Sequence, residues 1–278
     1  MAAMFFVVTM VLYFAATVSY LAYLLWSSEA LSKISLGVTA VGFASHTIAL
    51  VAGMIGATEV SSPGFHEALS FSSWVLILVF LVVEFRHRLH VIGSFIVPLA
   101  LVSLVFAAAL PETAPTLTPV FRTLWVHVTL SMLGTVGFAI AFLAGVMYLI
   151  QDGLLKSKRF NVLYSKLPAL DYLDHLNQQS IVTGFPLLTL GIITGALSAE
   201  FSRGSYLNWN PEQTWALVTW VFYFAVLLGR LTVGWRAKRA AYLTIIGFAG
   251  VILTLIGVVL KSHGPVSLYA HSRRRFEP

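Results

Sequence analysis

The chain contains no cysteine, which excludes disulfides, thiolate metal sites, iron–sulfur clusters, a CxxCH haem attachment site and thiol catalysis together. Histidine, present eight times, is the metal ligand that remains. Charge is scarce too: 10% of the 278 residues are Asp, Glu, Lys or Arg, against about a quarter in soluble domains, while 58% are hydrophobic. So few ions cannot coat a water-soluble globule of this size, which excludes a soluble enzyme or a DNA-binding domain. The net charge of +6 does not restore a nucleic-acid partner, because the 17 Lys and Arg are scattered between apolar runs instead of lining one face. No tandem repeat and no inverted half-repeat is visible.

What is present is a series of apolar runs, near 4–26, 34–56, 69–85, 90–110, 121–149, 181–199, 213–229 and 240–260. Each suffices to cross a hydrocarbon core of about 30 Å. They predict an all-α integral membrane protein, a single polytopic domain over 1–278 with about eight transmembrane helices. The first run follows only Met-Ala-Ala, lacks a basic leader and is longer than a signal-peptide core, so it is read as a retained span.

Loop charges set the expected direction. The loops after runs one, three, five and seven carry Lys33, Arg86, Arg88, Lys156, Lys158, Arg159, Lys166, Arg230, Arg236, Lys238 and Arg239, eleven in all, against Arg122 and Arg203 on the other side. The positive-inside rule places the eleven in the cytoplasm and both termini outside, with the Trp-rich loop at 200–215 on the outer face of the membrane. Lys261, Arg273, Arg274 and Arg275 oppose this direction, but the contrast in the short loops outweighs them. Residues 151–180 mix Lys156, Lys158 and Arg159 with Leu154, Leu155, Phe160, Leu163 and Leu167, and read as a cytoplasmic amphipathic connector.

Within the runs, the ionisable residue expected at depth is His46, with Glu84 near the inner end of the third. Ion-coupled pumps place more charge at mid-membrane, so this scarcity argues against one. His46 is either a neutral imidazole bonded to a neighbouring helix or a ligand. His87, His90 and His175 fall on the inner side; His66, His127, His263 and His271 fall on the outer. Trp209, Trp215 and Trp220 crowd one external segment. They serve either as interfacial anchors or as a flat aromatic surface for haem, chlorin or quinone. Gly191 and Gly195, spaced as GxxxG, predict close helix packing.

The segment Gly204-Ser205-Tyr206-Leu207-Asn208-Trp209-Asn210-Pro211-Glu212-Gln213-Thr214-Trp215-Ala216-Leu217-Val218-Thr219-Trp220 resembles the WWD motif of the CcsA/ResC type of cytochrome c assembly proteins. That motif runs roughly W-G-x-x-W-x-W-D-P-x-E-T-W-x-L-x-T-W. Pro63, Glu67, Leu69 and Trp74 are similar to an early segment of the same family. Leu167 to Asp174, Gly184 to Thr189 and Gly234 to Tyr242 resemble the stretches before and after the motif, so the likeness covers about residues 40–270.

The resemblance implies an eight-span fold with the motif outside, and a haem transporter or chaperone subunit of a cytochrome c haem lyase complex more than an enzyme by itself. It implies haem b, held by His127 and by His263 or His271 as axial ligands. Trp209, Trp215 and Trp220 would lie over the macrocycle, Arg203 near a propionate, and His46 in a supporting role. It also implies a ResB/CcsB-like membrane subunit and an apocytochrome c as partners, in the lipid bilayer and without nucleic acid. The chain departs from the motif at Arg203, Leu207, Asn210 and Gln213, and has Leu228 and Val266 where the family has histidine, which suggests a divergent or HemX-like member. Two other readings stay open: a regulatory or structural HemX-like subunit without haem transfer, and a haem b or quinone electron-transfer subunit.

Overall fold

The computed structural model describes residues 1–26, 28–56, 65–87, 89–109, 121–158, 162–206 and 211–262, and the regular structure among them is helical. In chain order these are α1 (Ala2–Trp26), α2 (Glu29–Gly56), α3 (Phe65–His87), α4 (His90–Ala109), α5 (Phe121–Lys156), the short α6 (Val162–Lys166) and α7 (Leu170–Arg203). Then come α8 (Pro211–Leu228), which runs into a single π turn (Gly229–Val233), and α9 (Ala237–Ser262). Among the described residues, seven helices are long and apolar enough to cross a membrane: α1 to α5, α7, and α8 with its π turn. The protein is an all-α integral membrane protein, and α9 covers the eighth expected run.

The surface is apolar where water would demand charge. In α1, Val7, Val11, Phe14, Val18 and Leu25 face outward while Thr9, Tyr13, Ala16 and Tyr20 are buried. An apolar exterior over a partly polar interior fits lipid, where side chains gain nothing by hiding from the solvent and only polar groups need a partner inside.

Two boundaries differ most from the expected runs. The fifth helix extends to Lys156 rather than 149, and the sixth run, expected from 181, begins at Leu170. The added turns of α7 are polar yet satisfied within the protein. Arg230 donates to Asp174 Oδ1 and Asn177 Oδ1, each at 2.8 Å, and Asn177 Nδ2 donates to the Ala141 carbonyl at 2.6 Å. Arg230 itself, counted among the loop charges, lies buried in the π turn. Apolar run length misses a polar residue whose partner comes from a distant helix.

The helices form two four-membered groups with the same neighbour relations. In the first, α1 packs on α2 and α4, and α3 packs on α4 and α2; in the second, α5 packs on α7 and α9, and α8 packs on α9 and α7. The groups meet along α3 and α5, where Ser72 Oγ donates to Met132 Sδ at 2.9 Å. A local arrangement is also repeated. In Gly42-Phe43-Ala44-Ser45-His46-Thr47 the threonine hydroxyl donates to the Phe43 carbonyl, and it accepts the indole N–H of Trp74 at 2.9 Å. Phe43 and Phe71 stack on that indole, with centroids 5.2 and 5.9 Å away. In Gly184-Phe185-Pro186-Leu187-Leu188-Thr189 the hydroxyl likewise donates to the Phe185 carbonyl and accepts the Trp220 N–H at 2.9 Å, between Phe185 and Phe224 at 5.5 Å each. The correspondence rests on helix neighbours and a handful of residues, too few to register as a sequence repeat.

Antiparallel α5 and α7 make the closest helix pair. A Cβ added at Gly137 would stand 2.9 Å from Gly184 Cα, and one at Gly134 would stand 2.7 Å from the Leu188 amide nitrogen. Small residues let the backbones approach, which is how transmembrane helices gain packing energy without a hydrophobic driving force between them.

Candidate haem-handling site

His127 lies near the end of this seam formed by the start of α5, in the second described turn of that helix. Its half-buried ring fits the groove because α7 presents glycine opposite it: a Cβ on Gly195 would stand 2.6 Å from both Cε1 and Nδ1. Nδ1 donates to the Gly191 carbonyl at 2.6 Å, an oxygen that also accepts the Thr194 hydroxyl at 3.0 Å. A neutral imidazole that donates from Nδ1 keeps its lone pair on Nε2. Ligating histidines are fixed in the same manner, the second ring nitrogen donating to a carbonyl or carboxylate. The predicted GxxxG pair therefore does more than pack helices, since Gly191 orients the imidazole and Gly195 makes room for it.

The same stretch of α7 holds Trp220 on another flank. Thr189, which accepts the indole N–H, is two residues from Gly191, about 3 Å along the axis. His127 and Trp220 are thus fixed to one rigid rod at similar heights. Trp215 is 47% exposed and faces away from the bundle, so the two tryptophans do not share a helix face. Beside His127, Trp125, Val126, Thr129 and Leu130 form a shallow, open apolar surface on one flank of α5.

The segment between α7 and α8 is shaped at both ends. Gly204, one of the retained motif positions, adopts a left-handed φ of 69°, ends α7 and donates its N–H to the Glu200 carbonyl at 2.8 Å. A residue with a Cβ would be strained there. At the start of α8, Gln213 Nε2 donates to the Tyr206 carbonyl at 3.2 Å. The glutamate that the WWD motif carries at this position could not donate that bond in its ionised form.

The other expected residues are placed as follows. His46 is fully buried in the first group, one ring nitrogen hydrogen-bonded to Tyr13 at 3.3 Å and the other to Ser70 at 3.0 Å, so both are engaged by the protein. Arg203 is the last residue of α7, and its side chain lies outside the description. Trp209, His263 and His271 lie outside the described residues. Among the described residues no group of three or more His, Asp or Glu gathers as a metal site, and the candidate site rests on a single imidazole. The buried Arg230–Asp174 pair and a contact between Glu84 and His90 were not anticipated; only spacing across different helices would have revealed them.

Comparison with known proteins agrees with the region that carries these features. A family model described as Cytochrome C assembly protein matches residues 63–265. A Cytochrome c biogenesis protein CcsA of Guillardia theta is 33% identical over 220 residues, covering 72% of this chain and 73% of its own length. Its namesake in Prochlorococcus marinus (strain NATL1A) is 33% identical over 234 residues with the same coverage, and that of Porphyra purpurea is 31% identical over 240 residues. With the matched region running from just before α3 into the segment after α9, this chain belongs to the cytochrome c assembly protein family, among relatives of the CcsA type.

Proposed function

We propose that this protein takes part in cytochrome c biogenesis by holding haem at the outer face of the membrane for transfer to an apocytochrome c. The observation that carries the proposal is His127: its Nδ1 is committed to the Gly191 carbonyl, which leaves Nε2 as a basic, oriented ligand atom. The residues present fit haem iron, since a pinned imidazole is a usual axial ligand. His127 would supply one axial bond and His263 or His271 the other. Trp209 and Trp215 would cover the macrocycle while Trp220, held by Thr189, would fix α8 to the helix that carries His127's partner Gly191; Arg203 would pair with a propionate by its bidentate fork, and His46 would stay a supporting residue. Haem b, when bound, supplies the iron centre and vinyl groups that the recipient's thiols attack; the chain, having no cysteine, cannot itself be that acceptor.

In this proposal the lysine- and arginine-rich loops face the cytoplasm of a bacterial cell, both termini and the Trp-rich segment face outward, and α9 is the eighth span. A ResB/CcsB-like membrane subunit supplies the large external domain that receives the apocytochrome. The test is the absorbance spectrum and pyridine haemochrome of purified protein. Haem bound by the wild type and lost on His127→Ala supports the proposal. Absence of haem from the wild type at any stoichiometry overturns it in favour of a regulatory or structural subunit. Reversible redox cycling of a permanently bound haem would overturn it in favour of an electron-transfer subunit.

A further inference from the structure

The end of the first helix group opposite the Trp-rich segment holds a pair of ionisable residues that the haem proposal does not use. Glu84, in the last turn of α3, has a side chain only 1% exposed, and its Oε1 contacts Nδ1 of His90, the first residue of α4. His90 is 32% exposed, so the pair has one member inside the protein and one at the surface. Glu84 Oε2 is buried without a hydrogen-bond partner among the described residues. A carboxyl at this depth is costly, and where one persists it usually marks a proton or ion path.

We propose that Glu84 and His90 form a proton-binding site that exchanges with the aqueous phase through the exposed edge of His90. A hydronium ion gives a proton to His90 Nε2, becoming water, and the proton already on Nδ1 passes to Glu84 Oε1. The products are a neutral imidazole protonated on Nε2 and a neutral carboxylic acid, with one proton gained overall. The surroundings suit storage of that proton: Tyr20 and Tyr23 face the pair from α1, Glu29 from α2, and Lys166 of α6 stands behind Tyr23, 3.8 Å above its ring. Tyr23 meets His90 edge-on at 6.2 Å. Beyond Glu84, Tyr20, Ser35 and Thr39 are also buried, with the Thr39 hydroxyl donating to the Ser35 carbonyl at 2.8 Å.

The proposal is tested on the full chain in lipid nanodiscs by infrared difference spectroscopy between mildly acid and mildly alkaline pH. A carboxylic acid carbonyl band is expected to appear on acidification in the wild type and in Asp152→Asn, and to be absent from Glu84→Gln. In His90→Gln its midpoint is expected to move by at least about one pH unit, as when a contacting ionisable partner is removed. A band unchanged in Glu84→Gln, or no such band in the wild type, overturns the proposal. If Glu84→Gln does not fold, His90→Gln decides, and an unmoved midpoint overturns it. Neither outcome depends on haem.

Discussion

His127 Nδ1 lies 2.6 Å from the carbonyl oxygen of Gly191, a bond from the first turns of α5 to the C-terminal half of α7 that selects which ring nitrogen donates. The neighbouring Gly195 gives the ring its space, because any side chain there begins 2.6 Å from the imidazole. Gly195→Ala is therefore expected to displace the ring without removing it. Haem affinity should fall by about 10–100-fold, the usual cost of disturbing a ligand's supporting shell, while His127→Ala should abolish retention. Haem titration of the purified variants measures both, and Gly195→Ala with wild-type affinity would show that the ring is not held through this face.

The two tryptophan–threonine contacts predict matched stability effects. Trp220→Phe keeps the stack on Phe185 and Phe224 and removes only the indole donor to Thr189, so it should cost about 0.5–1.5 kcal/mol. Trp74→Phe should cost a similar amount through Thr47. In each pair the Thr→Val variant combined with Trp→Phe should lose less than the sum of the single changes. Reversible unfolding in bicelles measures this, and additive losses would show that the hydroxyl and indole act independently.

For the buried ion pair, the two truncations are expected to be unequal. The side chain of Arg230 is 2% exposed and that of Asp174 is 20% exposed, and Asp174 also accepts the Ala237 N–H at 3.0 Å. Asp174→Ala leaves a guanidinium buried beside Asn177 alone and should cost about 3–5 kcal/mol. Arg230→Met leaves a carboxylate that still reaches water and an amide, so it should cost less. The same unfolding measurement ranks them, and the reverse order would mean that Asp174 carries the larger desolvation cost.

Lys166 connects the region between α5 and α7 to the first helix group, donating to the Tyr23 carbonyl at 2.5 Å near the end of α1. Desolvation holds its ammonium below the ordinary lysine value. The folded protein then binds fewer protons than the unfolded chain as pH climbs toward that value, so the contribution of this group to stability rises with pH there. The stability of wild type relative to Lys166→Met should increase across the alkaline range; a flat or falling difference would contradict this.

Much of the fold was legible because membrane crossing depends on local composition. The expected runs contain the cores of the helices. The role of Gly191 and Gly195 in close packing was legible from their spacing. His127 was singled out by its side of the membrane and by a family resemblance, not by anything that fixed its orientation.

What the sequence by itself determined is therefore the lipid environment, the all-helical class, the absence of thiol chemistry and the family, since each depends on residue type and short-range order. Only the tertiary structure decided that Nδ1 is the nitrogen of His127 that Gly191 engages, that both nitrogens of His46 are engaged, and that Trp215 and Trp220 face different ways. It alone paired Arg230 with Asp174 across 56 residues and revealed two similar helix groups. The reason is physical: hydropathy reports what a residue would do facing lipid, whereas a polar side chain inside a bundle depends on partners brought by helices far away in sequence.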